Sequence, residues 1–187
     1  MNIPNLITLS RLLGLPFLFI LCPSPEAVWR WWGLGIFVVA ASTDWLDGYL
    51  ARRLGQVTEL GQFLDPLVDK LLVLGPYLIL VQQQIVPSAA VFLILGREVA
   101  IAGWRVNPHL RGGQGISGAN VWGKLKTVTQ ITAIALLIAP LADPWPQLGL
   151  MIFWLSLALT LLSGLIYIWP QKNASISSSV EKSGFSA

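Results

Sequence analysis

Charge is what this chain has least of. Only 11% of its 187 residues are Asp, Glu, Lys or Arg, whereas 55% are hydrophobic, and the mean hydropathy is +0.68. That balance excludes an ordinary soluble domain and points to an integral membrane protein. Cysteine is nearly absent: Cys22 stands alone, so no intramolecular disulfide framework exists. His109 is the only histidine and has no ligand partner near it in its polar stretch, so it reads as solvated. Strong strand-like alternation and internal repeats are both missing. The formal net charge of +3 is small, and no nucleic-acid partner is expected.

Long apolar runs are plentiful. They lie near 6–22, 28–50, 60–82, 86–106, 121–141 and 147–169, each close to the roughly 20 residues a membrane helix needs. The predicted fold is all-α, a polytopic membrane protein with six transmembrane helices in one domain over 1–170. Residues 171–187 bear serine and lysine without periodicity and are expected to form a disordered cytoplasmic tail. Cys22-Pro23-Ser24-Pro25 ends the first helix. Gly55 breaks the chain before the third, which Thr58 is expected to cap. The stretch from Gln82 to Ser88 and that from Ala139 to Pro146 read as turns, and Asn107 to Asn120, with four glycines, as a loop. Residues 1–25 read as a retained first helix rather than a signal peptide, because no basic residue precedes Arg11. Asn173-Ala174-Ser175 matches a glycosylation sequon by chance, in a tail expected to be cytoplasmic. Trp29, Trp31, Trp32, Trp145, Trp154 and Trp169 suit interfacial anchoring, with ordinary packing as the alternative.

The basic residues set the expected topology. With six spans, Arg11, Arg52, Arg53, Arg105, Arg111, Lys124, Lys126, Lys172 and Lys182 fall on one side. The loops of the other side hold only Glu26, Arg30 and Asp143. Both termini are therefore expected in the cytoplasm, in a cell inner (plasma) membrane.

Against this background four aspartates stand out. Asp44 and Asp47 are spaced i,i+3, and Asp65 and Asp69 i,i+4, so each pair shares a helix face. Intramembrane carboxylates mark function by default. Four gathered at low dielectric repel one another strongly and call for a cation, and an all-carboxylate set suits Mg²⁺ or Mn²⁺. Two such ions would clamp the attacking and leaving oxygens of a phosphoryl transfer. Gly48 and Gly61 would let substrate or a neighbouring helix approach the backbone. Arg52 offers a planar fork to phosphate oxygens, while Arg53 reads as a snorkelling side chain. The rival reading is an ion-coupled transporter. That architecture wants discontinuous helices at the midplane, whereas these aspartates are expected at or near the cytoplasmic ends of the second and third helices.

The pattern D-x2-D-G-x2-A-R-x8-G-x3-D-x3-D, from Asp44 to Asp69, resembles the signature of the CDP-alcohol phosphotransferases at every fixed position. The resemblance implies a six-helix membrane enzyme, a homodimer, that moves a substituted phosphate from a CDP-linked donor to an alcohol and releases CMP. It implies that Asp44, Asp47 and Asp65 are metal ligands and that Asp69 is both ligand and catalytic base. It further implies CDP binding by Asp44, Gly48, Ala51, Arg52 and Gly61. Asn5 and Thr8 are read from the residues themselves as cytidine or helix-cap contacts.

Three further stretches resemble the branch of that family that uses CDP-diacylglycerol and sn-glycerol 3-phosphate. They are Asn2 to Arg11, Gly96-Arg97-Glu98-Val99 continuing to Trp104-Arg105, and Gly123 to Gln130. Together with the aspartates they cover most of residues 2–135. The acceptor's dianionic phosphate is expected to bind among Arg97, Arg105, Lys124 and Lys126. Arg97 and Glu98 lie inside an apolar run and must be paired or functional. For Lys124 and Lys126 the alternative is contact with anionic lipid headgroups. Arg11 is expected to pair with an aspartate or the acceptor phosphate, or else to snorkel. The alternative within the family is another acceptor: inositol phosphate, serine or a phospholipid.

Overall fold

The structure, a computed structural model, describes residues 3–54, 59–106 and 119–168, with side chains described within 8–43, 67–103 and 125–165. Six helices follow in order: α1 (Ile3–Leu21), α2 (Ala27–Leu54), α3 (Glu59–Gln82), α4 (Ser88–Val106), α5 (Ala119–Ile138) and α6 (Trp145–Ile168). No strand occurs among the described residues. The six apolar runs and the three described turns thus fall where the sequence puts them. Gly55, Thr58, the loop around His109 and Arg111, and the tail lie outside the described residues.

Helices α1, α2 and α3 pack together, α5 and α6 form the most extensive pair, and α4 lies on α6 and α3. The tight α5–α6 approach depends on Gly149, where a Cβ would come within 3.1 Å of Leu136 and Leu137. The core holds Phe37, Ile79, Leu80, Ile134 and Phe153, and Tyr77 packs edge-on against Phe153 with ring centroids 5.6 Å apart. Large apolar side chains also cover the outside: Ile20 is 71% exposed, Phe92 71% and Met151 67%. A water-facing surface would not carry so many. The helix Trp145–Leu165 is long and apolar enough to cross a membrane. Trp29, Trp31, Trp32, Trp145 and Trp154 all point outward, which favours anchoring over core packing. Trp169 lies outside the described residues.

Hydroxyls inside the bundle bond back to their own helix. Ser156 Oγ donates to the Phe153 carbonyl at 2.7 Å, Thr160 Oγ1 to Ser156 at 2.7 Å and Ser163 Oγ to Thr160 at 2.9 Å. Such local pairing satisfies polar groups where no water can.

The three described turns meet at one end. Helix α3 closes with Gln84 in the left-handed region (φ 57). Ile85 N–H donates to Leu80 at 2.9 Å and Gln84 N–H to Val81 at 3.0 Å, the Schellman pattern that satisfies the last carbonyls. Gln83 Nε2 reaches the Cys22 carbonyl of the first turn at 3.1 Å. Arg30, at the start of α2, donates from Nε to the Ile138 carbonyl at 3.2 Å, at the end of α5. The one arginine expected on this side is therefore a cap for a neighbouring helix, placed at its negative end. Arg30→Ala is expected to destabilise the bundle by about 1–2 kcal/mol, read as a lower thermal midpoint in detergent. An unchanged midpoint would mean that the α5 carbonyls find other partners.

Candidate active site

Around the middle of the bundle, α3, α4 and α5 surround a cavity of about 460 Å³, counting its open mouth. Its polar wall carries Asp69 and Lys70 from α3, Glu98 from α4, and Lys126, Thr127 and Gln130 from α5, and apolar residues such as Leu74 and Ile94 line the rest. The i,i+4 spacing of Lys126 and Gln130 brings both onto one face of α5.

Charges in this wall are paired across helices. Glu98 Oε1 accepts a hydrogen bond from Arg97 Nη1 at 2.9 Å and a second from Lys126 Nζ. Arg97 Nη2 continues to Ser163 Oγ on α6 at 2.9 Å. Gly164 makes room for this crossing, since a Cβ there would sit 3.1 Å from Arg97 Cγ. Gln130 Nε2 donates to Thr160 Oγ1 at 3.2 Å. Buried charges of this kind require such partners, because an uncompensated one is strongly destabilising.

The expected site residues distribute as follows. Asp44 and Asp47 lie on α2, and Asp65 and Asp69 on α3, so each pair sits within about one helical turn. Asp69 lines the cavity and lies in the field of Lys126. The side chains of Asp44, Asp47, Gly48, Ala51, Arg52, Gly61 and Asp65, and those of Asn5, Arg105 and Lys124, lie outside the described residues.

The aspartates lie toward one end of their helices: Asp47 comes seven residues before the end of α2 at Leu54, and Asp65 six residues after the start of α3 at Glu59. Lys126 does not face headgroups, being only 6% exposed with Glu98 as its counter-ion. Thr8 is not a helix cap, because α1 begins at Ile3, and it is buried. Two open alternatives also resolve. Arg11 is 2% exposed and so does not snorkel. Arg97 is paired, through Glu98 and Ser163, and is not among the residues lining the cavity.

Glu98, Lys70 and Gln130 enter the site only through the structure. Glu98 carried a signal, a carboxylate in an apolar run, but its partner Lys126 lies 28 residues on. For Gln130 the signal was its i,i+4 offset from Lys126.

Residues 1–162 match the CDP-alcohol phosphatidyltransferase family, and the chain belongs to it. It is 37% identical to the CDP-diacylglycerol–glycerol-3-phosphate 3-phosphatidyltransferase of Bacillus subtilis (strain 168), with 89% of this chain and 93% of the relative covered. It is 39% identical to the enzyme of the same name from Pseudomonas fluorescens, with 91% of each chain covered. It is also 31% identical to a CMP-forming cardiolipin synthase of Oryza sativa subsp. japonica, over 90% of this chain and 56% of that one.

Proposed function

We propose that this protein transfers the phosphatidyl group of CDP-diacylglycerol to sn-glycerol 3-phosphate, giving phosphatidylglycerophosphate and CMP in phospholipid biosynthesis. Similarity over nearly the whole chain to enzymes of that name supports the donor, the acceptor and the reaction class. The observation that carries the choice of acceptor is Lys126. A buried cation on the wall that also holds Asp69 suits an alcohol that brings its own phosphate.

The reaction forms one P–O bond, from the acceptor hydroxyl oxygen to the phosphatidyl phosphorus. It breaks the P–O bond to the CMP phosphate, which leaves with the electron pair. Asp69 takes the hydroxyl proton. The family is divalent-metal dependent. The donor set fits such ions: two pairs of carboxylates, hard oxygen ligands, each pair within about a turn along its own helix, α2 or α3. Asp44, Asp47, Asp65 and Asp69 would hold two Mg²⁺ or Mn²⁺ ions, which neutralise charge on the pyrophosphate when bound. Gly48, Ala51, Arg52 and Gly61, with Asn5 and Thr8, line the nucleotide. Arg105, Lys124, Lys126 and Arg11 supply counter-charge for the acceptor phosphate, and Arg97 adds to it from behind Glu98.

The family is membrane-associated. We read the six helices as six spans of a homodimer, with both termini and the site cytoplasmic. Helix α2, at about 42 Å for its 28 residues, exceeds the roughly 30 Å hydrocarbon thickness. Its end would then project into water and bring Asp44 nearer the interface.

The test is to incubate the purified protein with CDP-diacylglycerol, Mg²⁺ and separate labelled alcohols, then to identify the lipid product. Glycerol 3-phosphate is expected to enter the lipid phase with release of CMP. Transfer to inositol phosphate, serine or phosphatidylglycerol instead would reassign the acceptor within the family.

A further inference from the structure

A chain of contacts backs the polar wall of the cavity. It runs Ser163, Arg97, Glu98, Lys126 and so crosses from α6 through α4 to α5. Both cations converge on one oxygen, Glu98 Oε1. Glu98 and Lys126 line the cavity with Asp69, whereas Arg97 is not among the lining residues. A lysine ammonium sits on a flexible four-carbon stem and has no fixed direction of its own. Here one carboxylate fixes it, and that carboxylate is itself held from behind by a guanidinium tied to α6. The side groups are 15% exposed for Arg97, 21% for Glu98 and 8% for Lys126, so water provides little competition for these bonds.

We propose that Glu98 is a positioning residue for the acceptor: it holds Lys126 Nζ at the cavity wall, with Arg97 and Ser163 as its own support, so that the acceptor's phosphate meets Lys126 while its hydroxyl faces Asp69. This rests on the phosphorylated-acceptor reading given above. It divides the cations into two roles. Lys126 touches the phosphate, and Arg97 acts through Glu98. An acceptor gripped at its phosphate has its hydroxyl end confined, which is the orientation a single-base transfer needs.

Steady-state kinetics of the full-length enzyme in detergent–CDP-diacylglycerol micelles tests this, with wild type, Glu98→Gln, Glu98→Asp, Lys126→Met and the double variant Glu98→Gln/Lys126→Met. Losing the carboxylate charge in Glu98→Gln is expected to raise KM for glycerol 3-phosphate about ten-fold, as befits one charge-assisted bond. KM for CDP-diacylglycerol should stay within about two-fold, since no donor contact is touched. Glu98→Asp keeps the charge and should recover part of the loss. The double variant should be no worse than Lys126→Met alone, because Glu98 acts through that lysine.

An unchanged acceptor KM in Glu98→Gln would overturn the proposal, as would losses that multiply in the double variant. So would equal rises in both KM values, the mark of a merely structural role. If Glu98→Gln does not fold, Glu98→Asp carries the test, and its KM rise must be confined to the acceptor. Wild type that transfers to no phosphorylated alcohol would remove the functional reading and this inference together. Wild type that transfers normally beside an unaffected Glu98→Gln would remove this inference alone.

Discussion

Asp69→Asn is expected to leave a folded protein without measurable turnover. The substitution keeps size and shape but removes the lone pair that takes the acceptor proton and one of the four negative charges gathered on α2 and α3. Loss of a general base alone typically costs about 10²–10⁴ in rate, and weaker divalent-metal binding would add to that. Donor binding should largely survive, because three carboxylates remain. Glycerol 3-phosphate should still compete for the acceptor site, since Lys126 and Glu98 are untouched. Chelation by EDTA should silence wild type as completely, with recovery on adding Mg²⁺ or Mn²⁺. Turnover by Asp69→Asn near the wild-type level would rule this aspartate out as the base. Activity that survives EDTA would rule out the metal-dependent reading of the carboxylate cluster.

An all-or-none result is expected from chemical labelling across the membrane. The nucleotide of the donor is too polar to cross about 30 Å of hydrocarbon, so the aspartates must face the compartment in which it is made. The diacylglycerol tails must stay in the bilayer, so the site should open sideways between helices. Hydrogen bonds between neighbouring elements already group the turns: Gln83 to Cys22, and Arg30 to Ile138. Single cysteines at Ser24, Gln83 and Asp143, in a Cys22→Ala background, should therefore react together, and only from the outside. Cysteines at Gly55, Gly113 and Ser178 should react with an impermeant maleimide only in inside-out vesicles. Removing Cys22 avoids background signal, although its thiol is already buried. Labelling of the Gly55 position from the outer face would break both the six-span reading and the cytoplasmic site.

The sequence by itself determined the helix count, the helix limits to within a few residues, and the helices that carry the aspartates. Those features are local. Apolar run length, proline and glycine breaks, and i,i+3 or i,i+4 spacing are all written along one stretch of chain. It also required that Arg97 and Glu98 be paired or functional, since charge in an apolar helix is costly without a partner. Only the tertiary structure decided who the partners are. Lys126 lies 28 residues from Glu98, and Ser163 lies 66 from Arg97. Nothing local marks Lys126 as a buried cation. Helix α6 is apolar nearly all round and the polar residues of α5 are not gathered on one face, so no stripe marks which face turns inward. That choice falls to side-chain packing between helices, such as the space at Gly149 and Gly164. The same packing turned Trp29, Trp31 and Trp32 outward and buried Arg11, because a bundle in which most residues are apolar can be oriented only by how its surfaces fit.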